Sequence, residues 1–387
     1  MLRFLTAGES HGPCLTAIVE GLPAGLSLSE EHLAADLARR QGGYGRGARM
    51  RIERDRAEIL SGVARGQTTG GPLALRIENR DWSNWKDRVL PPLTVPRPGH
   101  ADWAGGIKYG HRDLRLVLER ASARETAARV AVGAVARRLL GEFGMSVYSQ
   151  VVQIGGVRAR PAEEFAPEVA QMIERSPFRC ADPRAEEAMK ALVDDAGQRG
   201  DTLGGVFEVV VLGVVPGLGS FVHWDRRLDG RLAQALMSIH AIKGVEIGGG
   251  FGLVDRLGTQ VHDQFRMRSG ALERETNWAG GVEGGVSNGQ PIVVRAAMKP
   301  ISTTLSPQRS VDLATGGDSP TQYQRSDVCA VPAAAVVGEA MAAIVVADAF
   351  LEKFGGDSVR DIRASLRSYL EASGYWLGAT ETPERQT

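Results

Sequence analysis

The chain reads as an α+β protein, a β-α-β sandwich in which a central helical layer lies between two antiparallel sheets. Three observations predict this. Two long segments are apolar on every side, so each must be covered on every side. Strand-like runs succeed one another with few crossover helices between them, which disfavours a parallel doubly wound sheet. The phrases that lead into and out of the helices recur in the two halves of the chain, as in an internal duplication.

Taken in order, Leu15–Val19 is an apolar strand run closed by Val19-Glu-Gly-Leu-Pro23-Ala-Gly25, and an amphipathic helix follows at about Glu30 to Arg40. Pro72–Ile77 is a strand with Leu73, Leu75 and Ile77 on one face. A helix from about Ala123 to Phe143 opens with Ser122-Ala-Arg-Glu125, a capping box whose hydroxyl and carboxylate satisfy free N–H groups. A further helix lies near Asp182–Ala196, where Asp182-Pro183 supplies the N-cap and first position. Val206–Val215 is a strand that runs into Leu212-Gly-Val-Val-Pro216-Gly-Leu218, the echo of the first phrase, and a second amphipathic helix follows from Leu228 to Ile242. Pro291–Ala297 is the last strand, and the final long helix runs from about Ala333 to Phe354, broken mainly by Glu339 and Asp348. Both long helices end alike, in Leu140-Gly-Glu-Phe143-Gly144 and Leu351-Glu-Lys-Phe354-Gly355. The expectation is one domain over residues 1–387, with pseudo-repeats at about 1–145 and 205–356, an insertion at 145–205 and a tail at 378–387.

Charge narrows the function. The 46 Lys+Arg balance 46 Asp+Glu, so the positive excess that drives non-specific binding to nucleic acid or to a membrane surface is missing. The most apolar stretch, Val328 to Leu351, contains Glu339 and Asp348, and a mid-bilayer charge costs about 2.5–3.5 kcal/mol. It is read as a buried helix. The three cysteines are widely spaced and no histidines cluster, which argues against a disulfide framework and a zinc site. The first nine residues reach Glu9 before any apolar leader forms, so the expected location is the reducing cytoplasm. Only six of the 46 cationic residues are lysine. Arginine forks suit phosphate and carboxylate, yet only arginines beside glycines, histidines or helix starts carry functional weight.

The 48 glycines, against an ordinary usage of about 7%, fall in short runs such as Gly42-Gly43-Tyr44-Gly45-Arg46-Gly47. None of these runs gives the dinucleotide fingerprint, a Walker loop or a nucleophile elbow. What remains is a set of loop phrases. His11 in Gly8-Glu-Ser-His-Gly-Pro13 and His100 in Pro96-Arg-Pro-Gly-His-Ala-Asp102 sit beside glycines, where a ring can face a cleft, and Asp102 is available to orient the second. Arg39, at a helix end, is read as balancing the helix dipole, whereas Arg46 and Arg49 look like anion clamps. Arg120-Ala121-Ser122-Ala123-Arg124 crowds two arginines around a helix start, the strongest anion signal in the chain.

Together Gly8-Glu-Ser-His-Gly-Pro13, Arg120-Ala-Ser-Ala-Arg-Glu-Thr-Ala-Ala-Arg-Val130 and Arg325-Ser-Asp-Val-Cys329-Ala-Val-Pro332 resemble the three signature segments of the chorismate synthase family. Arg40–Met50, Gly99-His-Ala-Asp102, Gly200-Asp-Thr-Leu-Gly-Gly205 and Lys243-Gly-Val-Glu-Ile-Gly248 fall in the family's order, and the resemblance covers residues 1–355. It implies conversion of 5-enolpyruvylshikimate 3-phosphate to chorismate and phosphate by anti-1,4-elimination, with reduced FMN (FMNH2) required and no net redox change. Carried over by motif, His11 protonates the departing phosphate, His100 manages protonation at the flavin, and Asp327 takes part in proton removal near flavin N5. Arg40, Arg46, Arg49, Arg124 and Arg325 hold anions, with Ser10 and Ser122 as hydroxyl donors. Flavin contacts fall to Arg120, Ala121, Ser122, His240, Ala241, Gly284, the Lys299-Pro300-Ile301-Ser302-Thr303 turn and Arg325. His240 stands where many members have asparagine, and one imidazole cannot reproduce both amide hydrogen bonds in one plane. The resemblance also implies a homotetramer and a sandwich with helices inside.

Two rival readings differ in what they need. A non-catalytic flavin- or anion-binding protein would keep the arginines without requiring His11, His100 and Asp327. A flavin reductase would use NADPH, and the lack of a nucleotide fingerprint favours an external reductant or a separate flavin reductase over built-in reduction.

Overall fold

The computed structural model describes residues 1–47, 54–268, 271–322 and 326–374. Among the described residues the two large antiparallel sheets hold four and five strands. The first contains β1 (Arg3–Ala7), β2 (Cys14–Glu20), β3 (Ala57–Ser61) and β4 (Leu73–Glu78), in the order β1-β2-β4-β3. The second contains β5 (Ser146–Ile154), β6 (Gly205–Leu212), β7 (Ile242–Ile247) and β8 (Ile292–Met298), in the order β5-β6-β8-β7, with the short Val157–Arg158 ladder outside β5. The two sheets thus share one strand order. Alternation explains which face is covered: Leu15, Ala17 and Val19 oppose Ile77, Leu75 and Leu73 in the first sheet, and Phe207, Val209 and Val211 oppose Ala296, Val294 and Ile292 in the second. All twelve side chains are buried.

Helices α1 (Glu30–Gln41), α2 (Asp102–Tyr109), α3 (Arg115–Arg120), α4 (Thr126–Glu142), α5 (Pro167–Arg175), α6 (Pro183–Gln198), α7 (Leu228–Met237), α8 (Val331–Phe354) and α9 (Val359–Gly374) complete the fold. Helix α4 packs on β2 and β4, α8 packs on β5 and β6, and α4 and α8 pack on each other. At their crossing a Cβ on Gly133 would stand 2.2 Å from the Ala340 Cβ and 2.4 Å from its Cα, so only glycine permits this approach. Helix α8 is long and apolar enough to cross a membrane, yet 94% of its most apolar window is buried by the protein itself.

Several elements differ from the sequence expectation. Residues 146–154, expected to open an insertion, form β5 and pair along their length with β6. Ser149 and Gln150, polar yet buried in this strand, are satisfied by the side chains of Glu339 and Glu208. The predicted helix from Leu228 stops at Met237, and Ile242 opens β7. The capping box at Ser122 is half formed. The Ser122 hydroxyl accepts from the Arg124 N–H, but a 3-10 turn covers Ala123–Glu125 and α4 begins only at Thr126. Glu125 is held instead by Arg129 and by the Thr6 hydroxyl. Arg39 does not merely balance a dipole: it donates to Glu339 and Glu174, beside Arg137 and Arg179. The tail at 378–387 lies outside the described residues.

Candidate active site

The loop between β1 and β2 carries Ser10 and His11, and α3 holds it in place. The Ser10 N–H donates to the Glu119 carbonyl at 3.1 Å, and the Glu119 carboxylate takes the His11 N–H at 2.7 Å and the ring Nδ1 at 2.8 Å. Trp85 lies against the His11 ring, with centroids 4.0 Å apart. From the other side, Asn79 donates to the carbonyls of Glu9 and Gly12. The Ser122 hydroxyl reaches the Ser10 hydroxyl at 3.1 Å.

His100 is built on a second carboxylate. Its Nδ1 lies 2.6 Å from Asp102 Oδ1, while Arg97 donates through Nε to Oδ2 at 2.8 Å and through Nη2 to Oδ1 at 3.0 Å. Burial opposes charge on Asp102, but the hydrogen bonds from His100 and Arg97 win and hold its carboxyl well below the usual range. Arg97 also donates to the Thr303 hydroxyl at 3.1 Å, tying the His100 loop to the Lys299–Thr303 turn.

Arg40 and Arg124 share the buried Asp55. Arg40 also donates to the Thr126 hydroxyl and the Ala123 carbonyl, and Arg124 to Asn79 Oδ1 at 2.8 Å and the Glu78 carbonyl. Burial lowers the Arg40 guanidinium to about 10, partly offset by Asp55, with Arg124 and Arg46 adding like charge. Asp327 accepts from the Gly47 N–H at 2.6 Å and pairs with Arg46 at 3.0 Å. Lys299 is pushed down by burial and by Lys243.

These groups enclose one cavity of about 630 Å³, within the usual range for small-molecule sites. Among the described residues its wall holds five cations, Arg40, Arg46, Arg97, Arg124 and Lys299, against one carboxylate, Asp327. Leu118, Ile239, Met298 and Val337 supply an apolar part. His240 lies in the wall with its Nδ1 buried and, among the described residues, unpartnered, and burial takes it down to about 4, so the ring is neutral at pH 7. Ala241 beside it has φ 65, an uncommon left-handed backbone for a residue with a Cβ.

Of the residues expected at the site, Ser10, His11, Arg40, Arg46, His100, Ala121, Ser122, Arg124, His240, Ala241, Lys299, Ile301, Ser302, Thr303 and Asp327 line this cavity together. Arg49 and Arg325 lie outside the described residues. Arg120 faces elsewhere: it donates to Thr6 and the Gly8 carbonyl beside a second opening that His240 also lines. Pro300 does not line the cavity, and Gly284 turns the Val282–Glu283 and Val286–Ser287 hairpin with φ 60, away from it. Sequence reasoning missed Arg97, Glu119, Trp85 and Asp55. The proline on each side of Arg97 was the one local hint.

The sequence profile of the family described as chorismate synthase matches residues 2–351. The chain belongs to the chorismate synthase family. A chorismate synthase of Trichlorobacter lovleyi is 56% identical over 386 residues, covering 95% of this chain and 98% of the relative, and one of Aquifex aeolicus is 55% identical over 387 residues, covering 95% and 97%. A solved structure described as a crystal structure of chorismate synthase superposes with a TM-score of 0.79 at 48% identity, covering 96% of this chain and 98% of the other. Like other chorismate synthases, this protein is a lyase acting on a small molecule. The signature segments that carry the family likeness supply His11, Ser122, Arg124 and Asp327 to the one cavity.

Proposed function

We propose that the enzyme eliminates phosphate from 5-enolpyruvylshikimate 3-phosphate in the anti-1,4 sense to give chorismate, the last step of the shikimate pathway, with reduced FMN required and no net redox change. The observation that carries this reading is the cavity wall, in which five cations face one carboxylate and two imidazoles are each fixed by a carboxylate of their own. The substrate bears two carboxylates and a phosphate, and FMN brings a further phosphate. Such a set of anions calls for positive charge that needs no reorganisation.

In the elimination the C–O bond breaks with its electron pair going to phosphate, and the pair from the broken C–H bond enters the new double bond. His11, with Nδ1 committed to Glu119, presents its other ring nitrogen to protonate the departing phosphate. Asp327, fixed by the Gly47 N–H and Arg46, takes part in removing the ring proton. Arg40, Arg46 and Arg124 are ion-paired within the protein and supply fixed positive charge, and together with Arg49 and Arg325 they hold the anions, with Ser10 and Ser122 as hydroxyl donors. The residues present fit a flavin: an apolar wall, the unpartnered His240 Nδ1 and the Lys299–Thr303 turn supply a face and polar contacts beside the cations. When bound, reduced FMN supplies an electron-rich ring whose donation and recovery leave no net redox change. His100 holds a proton beside it.

Anaerobic assay tests this reading. With photoreduced FMN and substrate, many phosphates are released per flavin, and with oxidised FMN alone none is. Turnover on oxidised FMN without reductant defeats the proposal. NADPH added to oxidised FMN then distinguishes self-reduction from dependence on a separate reductase. We read the chain further as a cytoplasmic homotetramer built by duplication, and the shared strand order of the two sheets supports repeats that begin at β1 and β5.

A further inference from the structure

The geometry points to Glu119 as the positioning residue for His11, an inference that rests on the role given to His11 above. Glu119 grips the loop at three points. Its carbonyl takes the Ser10 N–H at 3.1 Å, and its two carboxylate oxygens divide between the His11 N–H at 2.7 Å and the ring Nδ1 at 2.8 Å. The backbone N–H can only donate, so Oε2 is committed to it. Oε1 then faces Nδ1, which must carry hydrogen to make the bond, so the further proton that makes the ring an acid sits on Nε2, the nitrogen that gives it to the departing phosphate. Trp85 packs against the ring at 4.0 Å between centroids, 37° from parallel, leaving rotation little room. One carboxylate thereby fixes the backbone, the orientation and the tautomer of the imidazole that faces the cavity.

Glu119→Gln separates this from a role in packing. The variant keeps length and shape, and its amide oxygen can still accept from the His11 N–H. Its NH2 then meets Nδ1, which becomes an acceptor, so hydrogen moves to Nε2 and the protonated ring loses its partner. Relocating a positioned acid–base group in this way is expected to lower kcat by about 10²-fold, the lower end of what such groups contribute, with KM within about threefold and melting temperature unchanged. Glu119→Asp keeps the charge and restores part of kcat, and it also serves if the glutamine variant does not fold. In the double variant with His11→Ala, the loss equals that of His11→Ala alone, because the two residues act as one unit. Wild-type kcat in Glu119→Gln beside an impaired His11→Ala overturns the inference while leaving the role of His11 standing. Multiplying losses in the double variant overturn it as well. Wild-type kcat in His11→Ala removes both.

Discussion

His240 carries its Nδ1 buried without a partner among the described residues, and this makes its protonation a stability matter. Burial holds the folded ring near 4, against 6.5 ordinarily, so as pH falls the unfolded chain takes up the proton first. The contribution is fully present above pH 6.5 and is lost as pH falls towards 4, by up to about 3 kcal/mol. Urea unfolding at pH 7.5 and pH 5 is expected to show a larger loss for the wild type than for His240→Asn, and equal losses exclude the assignment. Arg124 has a different lesson. Its donors reach Asp55, Asn79 Oδ1 and the Glu78 carbonyl, so Arg124→Lys is expected to lower melting temperature and kcat/KM together, by roughly 1.5–3 kcal/mol for each charged hydrogen bond lost. A variant that loses activity at unchanged melting temperature contradicts this. His100→Ala is expected to lower kcat by about 10²–10⁴-fold with assembly intact, as measured by steady-state kinetics and sedimentation. His11 and His100 were legible because glycines flank them, and Arg46 and Arg124 because of a glycine loop and a helix start, whereas Arg40 and His240 came only from the family resemblance. Glu119 and Asp55 were not, since a carboxylate that meets its partner only through the fold leaves no local pattern.

Helix α8 was legible because nothing but burial suits a segment apolar all round, and Glu339 within it marked a break in that pattern. The structure explains the break: Arg39 and Arg179 donate to Glu339, Arg137 stands 3.5 Å away, and the Ser149 hydroxyl completes the set. Burial alone would neutralise this carboxyl, but the arginines hold it below the usual range. Removing one partner from such a cluster leaves like charges buried together, so Glu339→Gln is expected to cost about 3–5 kcal/mol in urea unfolding. A loss under 1 kcal/mol would show that the cluster rearranges freely. Glu174, in the same network, is raised by burial yet drawn down to about 2 by Arg179 and Arg39. Its stabilisation is therefore present above the ordinary value of 4.5 and fades as pH falls towards 2. Strand β5 was illegible for the complementary reason, since its buried Ser149 and Gln150 are satisfied by residues 190 and 58 positions away.

On the surface of the whole molecule, Phe221, Trp224 and Phe251 are 78%, 79% and 73% exposed, and Phe265 and Met267 are exposed as well. These large apolar groups are the candidates for subunit contacts in the proposed homotetramer. Paired Phe221→Asp and Trp224→Asp substitutions are expected to yield a smaller species in sedimentation velocity, and an unchanged assembly places the interface elsewhere. The echoing phrases suggested a duplicated plan with repeats at about 1–145 and 205–356, and the shared strand order of the two sheets would instead place the start of a second repeat at β5. The Gly133–Ala340 crossing gains its meaning at this scale. The approach to α4 at Ser122, Arg124 and Thr126 forms one side of the cavity, and the first turns of α8 at Ala333, Ala334 and Val337 form another. The two helices are therefore arranged as the arms of a caliper, with the pivot at Gly133 and the gap at the cavity. A methyl wedge at the pivot is expected to shift the gap although neither Gly133 nor Ala340 lines the cavity, and Ala340→Gly would relieve it only in part, because the Ala340 Cα itself stands 2.4 Å from where that methyl would be.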